Sequence, residues 1–297
     1  MTIYSEIDSN KKRTWLLIFG FFIFIIVLGW VFGRAFDEPL ILVGAVIFAA
    51  IQALVSYYRS TEIVLAISGA HPVSEQQDPD LYHILENLSI TAGIPMPKLY
   101  MIEDTATNAF ATGRDPQHAA VAVTKGLREK LTRTELEGVL AHELSHVRNY
   151  DIRLMTVVVV LVGTVALLSD WFLRWSFWGG RRRRSDGGGQ GELILMLIAL
   201  VLAILAPISA VLIQLAISRR REYLADADGA LLTRYPEGLA SALEKIAADM
   251  EPLETANKAT AHLYIENPLK GHRSVMNSLF STHPPVAERI KRLRSML

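Results

Sequence analysis

The sequence predicts a mainly α-helical membrane protein in which four apolar helices carry a cytoplasmic α+β domain with a small sheet. Three observations lead there. Residues 15–33 and 40–58 are uncharged runs of about the length that spans a bilayer. Residues 154–169 and 193–218 form a second apolar pair. Between and after the pairs, the pattern changes to capped, 3.6-periodic helices and short strand-like runs.

Taken in order, residues 1–14 form a cytoplasmic N-terminal segment whose Lys11, Lys12 and Arg13 stay inside by the positive-inside tendency. Residues 15–58 hold two transmembrane helices. A signal peptide is the alternative for the first run, but its apolar core is too long and Gly33-Arg34-Ala35 is a poor cleavage site. Residues 59–153 are the first soluble part. An amphipathic helix over 80–92 sets Leu81, Ile84, Leu85 and Leu88 on one side and ends at Gly93. Short strands are predicted over 98–102 and 119–123. They flank the stretch 108–113, whose Asn and Gly on their own read as a β-turn. Thr132 and Glu135 form a capping box, and Leu136, Val139, Leu140, Leu144 and Val147 follow at helical spacing.

Residues 154–218 hold the third and fourth apolar helices, with an Arg/Gly-rich loop at 174–192. The third run is short and Val-rich; the fourth is long and interrupted by Pro207 and Gln214. The two either span or form a hairpin entering from one side. Residues 219–297 are the second soluble part. They are helical at first and again over 241–249, loop-rich over 254–281, and end in a basic helix over 286–296 entered through Pro284-Pro285.

Composition narrows the function. With 30 basic and 30 acidic residues the net charge is zero, which excludes a general nucleic-acid binder. The chain has no cysteine, so disulfides and thiolate metal sites are excluded, and His and carboxylate remain as metal ligands.

The chemistry-bearing motif is His142-Glu143-Leu144-Ser145-His146. Histidines four apart on a helix share a face one turn apart, so both imidazoles reach one zinc ion. Glu143 stands about 100° round the helix from His142, placed to act as a general base toward a water at the metal. A catalytic zinc needs a third protein ligand and an open position. The candidate is Glu222, with Asp226 four residues on along the same helical face. Asp226 can accept the ring N–H of a ligand histidine, which fixes tautomer and orientation. The plain alternative is a charged helix start in which Glu222 pairs with Arg219 or Arg221. His71, His83, His118, His262 and His272 have no ligand-like spacing and read as surface or packing residues.

These residues, with 107–113, 141–151 and Thr282-His283-Pro284-Pro285 followed by Glu288-Arg289-Ile290, resemble the M48 zinc metallopeptidases, in particular their bacterial membrane members. The resemblance covers 68–151 and 219 to the C-terminus; residues 176–192 do not match it. It implies a zincin-like metalloprotease domain holding one Zn2+ per subunit on His142, His146 and Glu222. It also implies that Asn108, Ala109, Phe110 and Ala111 border the cleft, where an extended substrate adds as a further strand. His283 would point into the active site and donate to the developing oxyanion. The implied role is membrane protein quality control.

Topology follows from parity. His142, His146 and Glu222 must meet, so the chain between them crosses the bilayer twice or not at all. Two crossings by the first pair return the chain to the cytoplasm, so the site faces the cytoplasm of a multi-pass protein; the resemblance implies that the membrane is the bacterial inner one. Arg174 and Arg181 to Arg184 would be exported if the second pair spans, and they favour the hairpin; the length of residues 193–218 favours four spans. By helical rise the ligands lie roughly 6 to 12 Å from the apolar boundaries. The expected substrates are therefore membrane proteins, or damaged proteins with ends near the bilayer, and no feature names an oligomeric state. Two other classes remain: a membrane scaffold with a structural zinc, and a zinc hydrolase of a non-peptide substrate. Glu143 weighs against the scaffold, because a structural site needs no base.

Overall fold

The structure, a computed structural model, describes residues 3–182, 201, 208, 211–214, 218–257, 259–268 and 284–296. It opens with a single 34-residue helix, α1 (Ile3–Phe36). Residues 3–14 of the expected N-terminal segment are thus helical and continuous with the first apolar run. Neither Gly nor Pro occurs before Gly20, so nothing local stops the helix where polar sequence gives way to apolar. A short turn through Asp37, at φ 52°, leads into α2 (Leu40–Tyr58). The two helices approach so closely that a Cβ on Gly29 would lie 2.2 Å from the Ala45 side chain.

The next membrane helix, α7 (Asp151–Arg182), packs on α1 and α2. Among the described residues, three stretches are long and apolar enough to cross a membrane: Ile7–Phe36, Leu40–Tyr58 and Asp151–Trp171. Val157, Val158, Val159, Leu161 and Val165 of α7 are buried among them, while Leu16, Phe19, Leu40 and Leu54 of the outer helices stay exposed, as lipid-facing residues would be. Residues 174–182 of the expected loop are helical instead, because α7 runs on to Arg182 and the arginines and Gly179-Gly180 do not break it; residues 183–192 of that loop lie outside the described residues. The fourth apolar helix falls almost wholly outside the described residues.

The soluble domain follows α2. Helix α3 (Ser60–Ile67) leads to strand β1 (Ala70–Pro72), neither foreseen. Helix α4 (Pro79–Ala92) has the two ends its sequence dictates. Asp78 accepts the Leu81 N–H at 3.1 Å, and Gly93 closes the helix in the left-handed conformation, φ 68°. Strands β2 (Lys98–Ile102), β3 (Ala109–Gly113) and β4 (Ala119–Thr124) complete a sheet of order β1-β2-β4-β3. Only the β2–β4 pair is parallel. The stretch 108–113 is thus largely an edge strand and no simple turn, paired from Ala109 to Val123 through Gly113 to Ala119.

Helix α5 (Lys125–Lys130) precedes α6 (Arg133–Arg148), where the Glu135 carboxylate accepts the Thr132 N–H at 2.7 Å in the expected capping box. After the membrane helices come α8 (Arg219–Thr233), α9 (Pro236–Ala248) and α10 (Val286–Arg294). Leu85, Val121, Val139, Leu140, Leu144, Leu243 and Ile246 form a dry core linking the sheet with α4, α6 and α9. Helix α6 is buried almost throughout its second half, so its polar residues need partners inside the protein.

Candidate metal centre and active site

His142 and His146 lie one turn apart on α6, and α8 crosses close to them. A Cβ on Gly229 would already be 3.0 Å from the His142 backbone nitrogen. That proximity brings Glu222 to the histidines. Its carboxylate oxygens stand 3.8 Å from His142 Nε2 and 3.6 Å from His146 Nε2. The two Nε2 atoms are 3.2 Å apart, and one ligand atom from each of the three residues falls within 4.8 Å of the others.

The tautomers follow from the other ring nitrogens. His142 Nδ1 lies 3.0 Å from Asp226 Oδ1, and His146 Nδ1 lies 2.9 Å from Asp151 Oδ2. A carboxylate at each Nδ1 makes it the N–H donor, so both Nε2 lone pairs aim at one point. Two lone pairs at that separation repel unless a cation or proton lies between them. Two imidazole nitrogens and a carboxylate are the donor set of a catalytic metal ion.

Electrostatics describe the metal-free alternative. Burial, aided by the Arg289 charge, pushes His142 down to about 4 despite Asp226. Burial also opposes a charge on His146, but Asp151, Glu222 and Glu143 overcome it and raise the group to about 9. A proton on His146 then occupies the place of the cation. Asp226 is held below the usual carboxylate range although burial acts the other way, because Arg289 and His142 stabilise its charge.

Glu143 is buried beside this centre, 2 % exposed. Asn108 precedes β3; its Oδ1 accepts the Ala109 N–H, while its Nδ2 donates to the Glu266 carbonyl at 3.0 Å. Phe110 packs edge-on against Tyr264, and Ala111 is buried in mid-strand. The Thr124 N–H donates to Asn108 O, so alternation turns the N–H and C=O of Ala109, Ala111 and Gly113 to the outer edge. There Ala109 O accepts the Ile265 N–H at 3.0 Å, and Gly113 N–H donates to Thr156 Oγ1 at 3.2 Å. His283 lies outside the described residues. His262 is buried, within 3.1 Å of the Met155 carbonyl, as a packing residue would be.

Sequence reasoning assigned no role to Asp151 or Arg289. Arg289 is fully buried and holds Asp226 with two nitrogens, at 2.9 and 2.7 Å. Its Nη1 also donates to the Ile265 carbonyl at 3.0 Å. Asp151 follows His146 by five residues, at the first turn of α7, a spacing that could have singled it out.

The family model described as Peptidase family M48 matches residues 75–297. Among curated proteins, the "Protease HtpX homolog" of Dictyoglomus thermophilum is 49% identical over 298 residues, covering 99% of this chain and 95% of that protein. The protein of the same name from Tropheryma whipplei is 48% identical over 294 residues, covering 99% and 98%. Among solved structures, S. mikatae Ste24p matches with a TM-score of 0.50 at 20% identity, over 98% of this chain and 67% of that one, a likeness of fold. With three membrane-length helices among the described residues and a His-His-Glu group beside them, the chain belongs to peptidase family M48 and is a membrane-associated metalloprotease.

Proposed function

We propose that the protein is a multi-pass zinc endopeptidase of the bacterial inner membrane whose active site faces the cytoplasm and cleaves membrane proteins or misfolded proteins near the bilayer, in protein quality control. The observation that carries this reading is the convergence of His142, His146 and Glu222 at the foot of α7. Asp151, the partner of His146, is itself the first residue of that membrane-length helix. A substrate cut here lies within a few residues of the bilayer surface.

Zinc bound by the three ligands would supply a Lewis acid for the scissile carbonyl and lower the pKa of a nearby water. The protein's own residues do the rest. Glu143 takes a proton from the attacking water and delivers it to the leaving nitrogen, so it acts as base and then as acid. Asp226 and Asp151 keep the Nδ1 atoms protonated and the rings fixed. The substrate backbone pairs with the outer edge of β3 around Ala111, adding a strand to the sheet. His283 donates to the oxyanion.

The test uses purified full-length protein in detergent with an unfolded protein substrate. Cleavage should require zinc, stop with chelator, and fall at least about a hundredfold in Glu143→Gln while zinc stays bound. Full cleavage by Glu143→Gln would sink the reading. Loss of stability on chelation with no cleavage at any stage would identify a scaffold, and lipid turnover alone a different hydrolase.

A further inference from the structure

We infer that Asn10, on the first membrane helix, is a positioning residue of the metal centre that holds His146 through Asp151. The inference rests on the metal reading above.

Asn10 is 1 % exposed, and its amide is fully engaged. Nδ2 donates to Asp151 Oδ1 at 2.6 Å and to the Asn149 carbonyl at 3.0 Å. Its Oδ1 accepts from Arg221 Nη1 at 3.0 Å. The other oxygen of Asp151, Oδ2, faces His146 Nδ1 at 2.9 Å. A carboxylate free on one side can turn about its Cβ–Cγ bond; with Oδ1 pinned by Asn10, Oδ2 is left in one direction. Arg221 Nε adds an ionic contact to the same Oδ1 at 3.5 Å and immediately precedes Glu222. One amide thus joins α1 to the α6–α7 junction, just past His146, and to the start of α8, which carries Glu222.

The residue type suits the place. A carboxylate at position 10 would face Asp151 with like charge, and an apolar side chain would leave Asp151 and Arg221 each one partner short inside the protein. The turn itself is fixed: Thr14 Oγ1 donates to the Asn10 carbonyl at 2.8 Å, and Lys11 Nζ sits 4.3 Å over the Tyr150 ring. If Asn10 only docked α1 on the domain, its loss would change stability but leave the metal affinity of folded protein unaltered.

Zinc affinity is measured by chelator competition on full-length protein in detergent, in a Glu143→Gln background that prevents self-cleavage, together with the visible spectrum of the cobalt(II) form. Outer partners of ligand histidines are worth about 10- to 100-fold in metal affinity. Asn10→Ala should therefore weaken zinc binding about tenfold and shift the cobalt bands, and Asn10→Asp should do at least as much. The exposed control Lys12→Ala should do neither. In an Asp151→Asn background, Asn10→Ala should cost nothing further. Parent-like affinity in folded Asn10→Ala, or an equal loss in the Asp151→Asn background, overturns the inference. If Asn10→Ala does not fold, Asn10→Asp decides, and failure of both to fold also overturns it. A parent that binds no zinc would defeat the metal reading itself.

Discussion

Arg289 holds Asp226 in a two-pronged grip, Nε to Oδ2 at 2.9 Å and Nη2 to Oδ1 at 2.7 Å, with the guanidinium wholly buried. The same Oδ1 lies 3.0 Å from His142 Nδ1, so α10 reaches the metal centre through two side chains. Arg289→Ala leaves Asp226 charged, buried and short of its main partner. Breaking such a pair costs about 3 to 5 kcal/mol. We expect a fall in thermal midpoint and weaker zinc retention, read by calorimetry and metal analysis. Arg289→Lys should restore little, because one ammonium cannot make the fork. Parent-like behaviour of the lysine variant would contradict this geometry.

On the metal reading, His142 and His146 predict opposite pH responses for metal-free and metal-loaded protein. His146 is raised from 6.5 to about 9. In the metal-free form its contribution to stability is complete below pH 6.5 and is lost as pH rises through about 9. His142 is lowered from 6.5 to about 4, so its neutral form favours the fold, and stability drains as pH falls from 6.5 toward 4. Metal must displace the His146 proton, so zinc affinity should rise with pH up to about 9, with one proton released per ion. Chelated protein should therefore become less stable above pH 6.5 while loaded protein does not. Melting curves with and without chelator, and proton release in weak buffer, check this.

Gly229 predicts how tightly Glu222 depends on the α6–α8 approach. A Cβ there meets the His142 nitrogen at 3.0 Å and the Ala141 carbonyl carbon at 3.3 Å, both backbone atoms. Gly229→Val should push the helices apart, cost about 1 to 3 kcal/mol and separate Glu222 from the histidines. Zinc stoichiometry and a urea midpoint measure both effects; unchanged metal binding would show that α8 can shift freely.

The outward-facing backbone of Ala111 gives a direct test of the edge strand. Proline cannot donate to a ladder and is tolerated in sheets mainly on edges. Ala111→Pro should leave the protein folded and metal-loaded but cut cleavage of unfolded protein at least about tenfold, mostly through KM, by removing one backbone donor to the substrate. Wild-type KM would place substrate elsewhere.

Where the governing contacts were local, the sequence was legible. Asp78, Gly93, Thr132 and Glu135 mark helix ends through partners three or four residues away, and β2 matched its pattern residue for residue. Strand β3 read on its own as a turn because it is buried on both faces, without the alternation of a half-exposed strand. Its last residue is Gly113, at φ 151°, where a Cβ would sit 2.8 Å from Ala119 Cα. His142 and His146 stand together as their spacing suggested, and Glu222 and Asp226 join them as the resemblance implied, but Asn10, Asp151 and Arg289 were not singled out. Asn10 finds Asp151 across 141 residues and Arg289 finds Asp226 across 63, distances at which no periodicity speaks. Residues 174–182 misled because arginine and glycine suggest a loop in sequence, while a helix already under way tolerates both.

The unbroken run of α1 from Ile3 to Phe36 bears on how this enzyme can be prepared. Trimming away the lipid-embedded helices to obtain a water-soluble catalytic fragment would discard the turn that carries Asn10 together with the stretch that anchors it. A fragment beginning at the soluble domain should bind zinc poorly, and supplying residues 3–14 as a separate peptide should recover part of that binding. Anchor and catalyst are in this respect one piece of machinery.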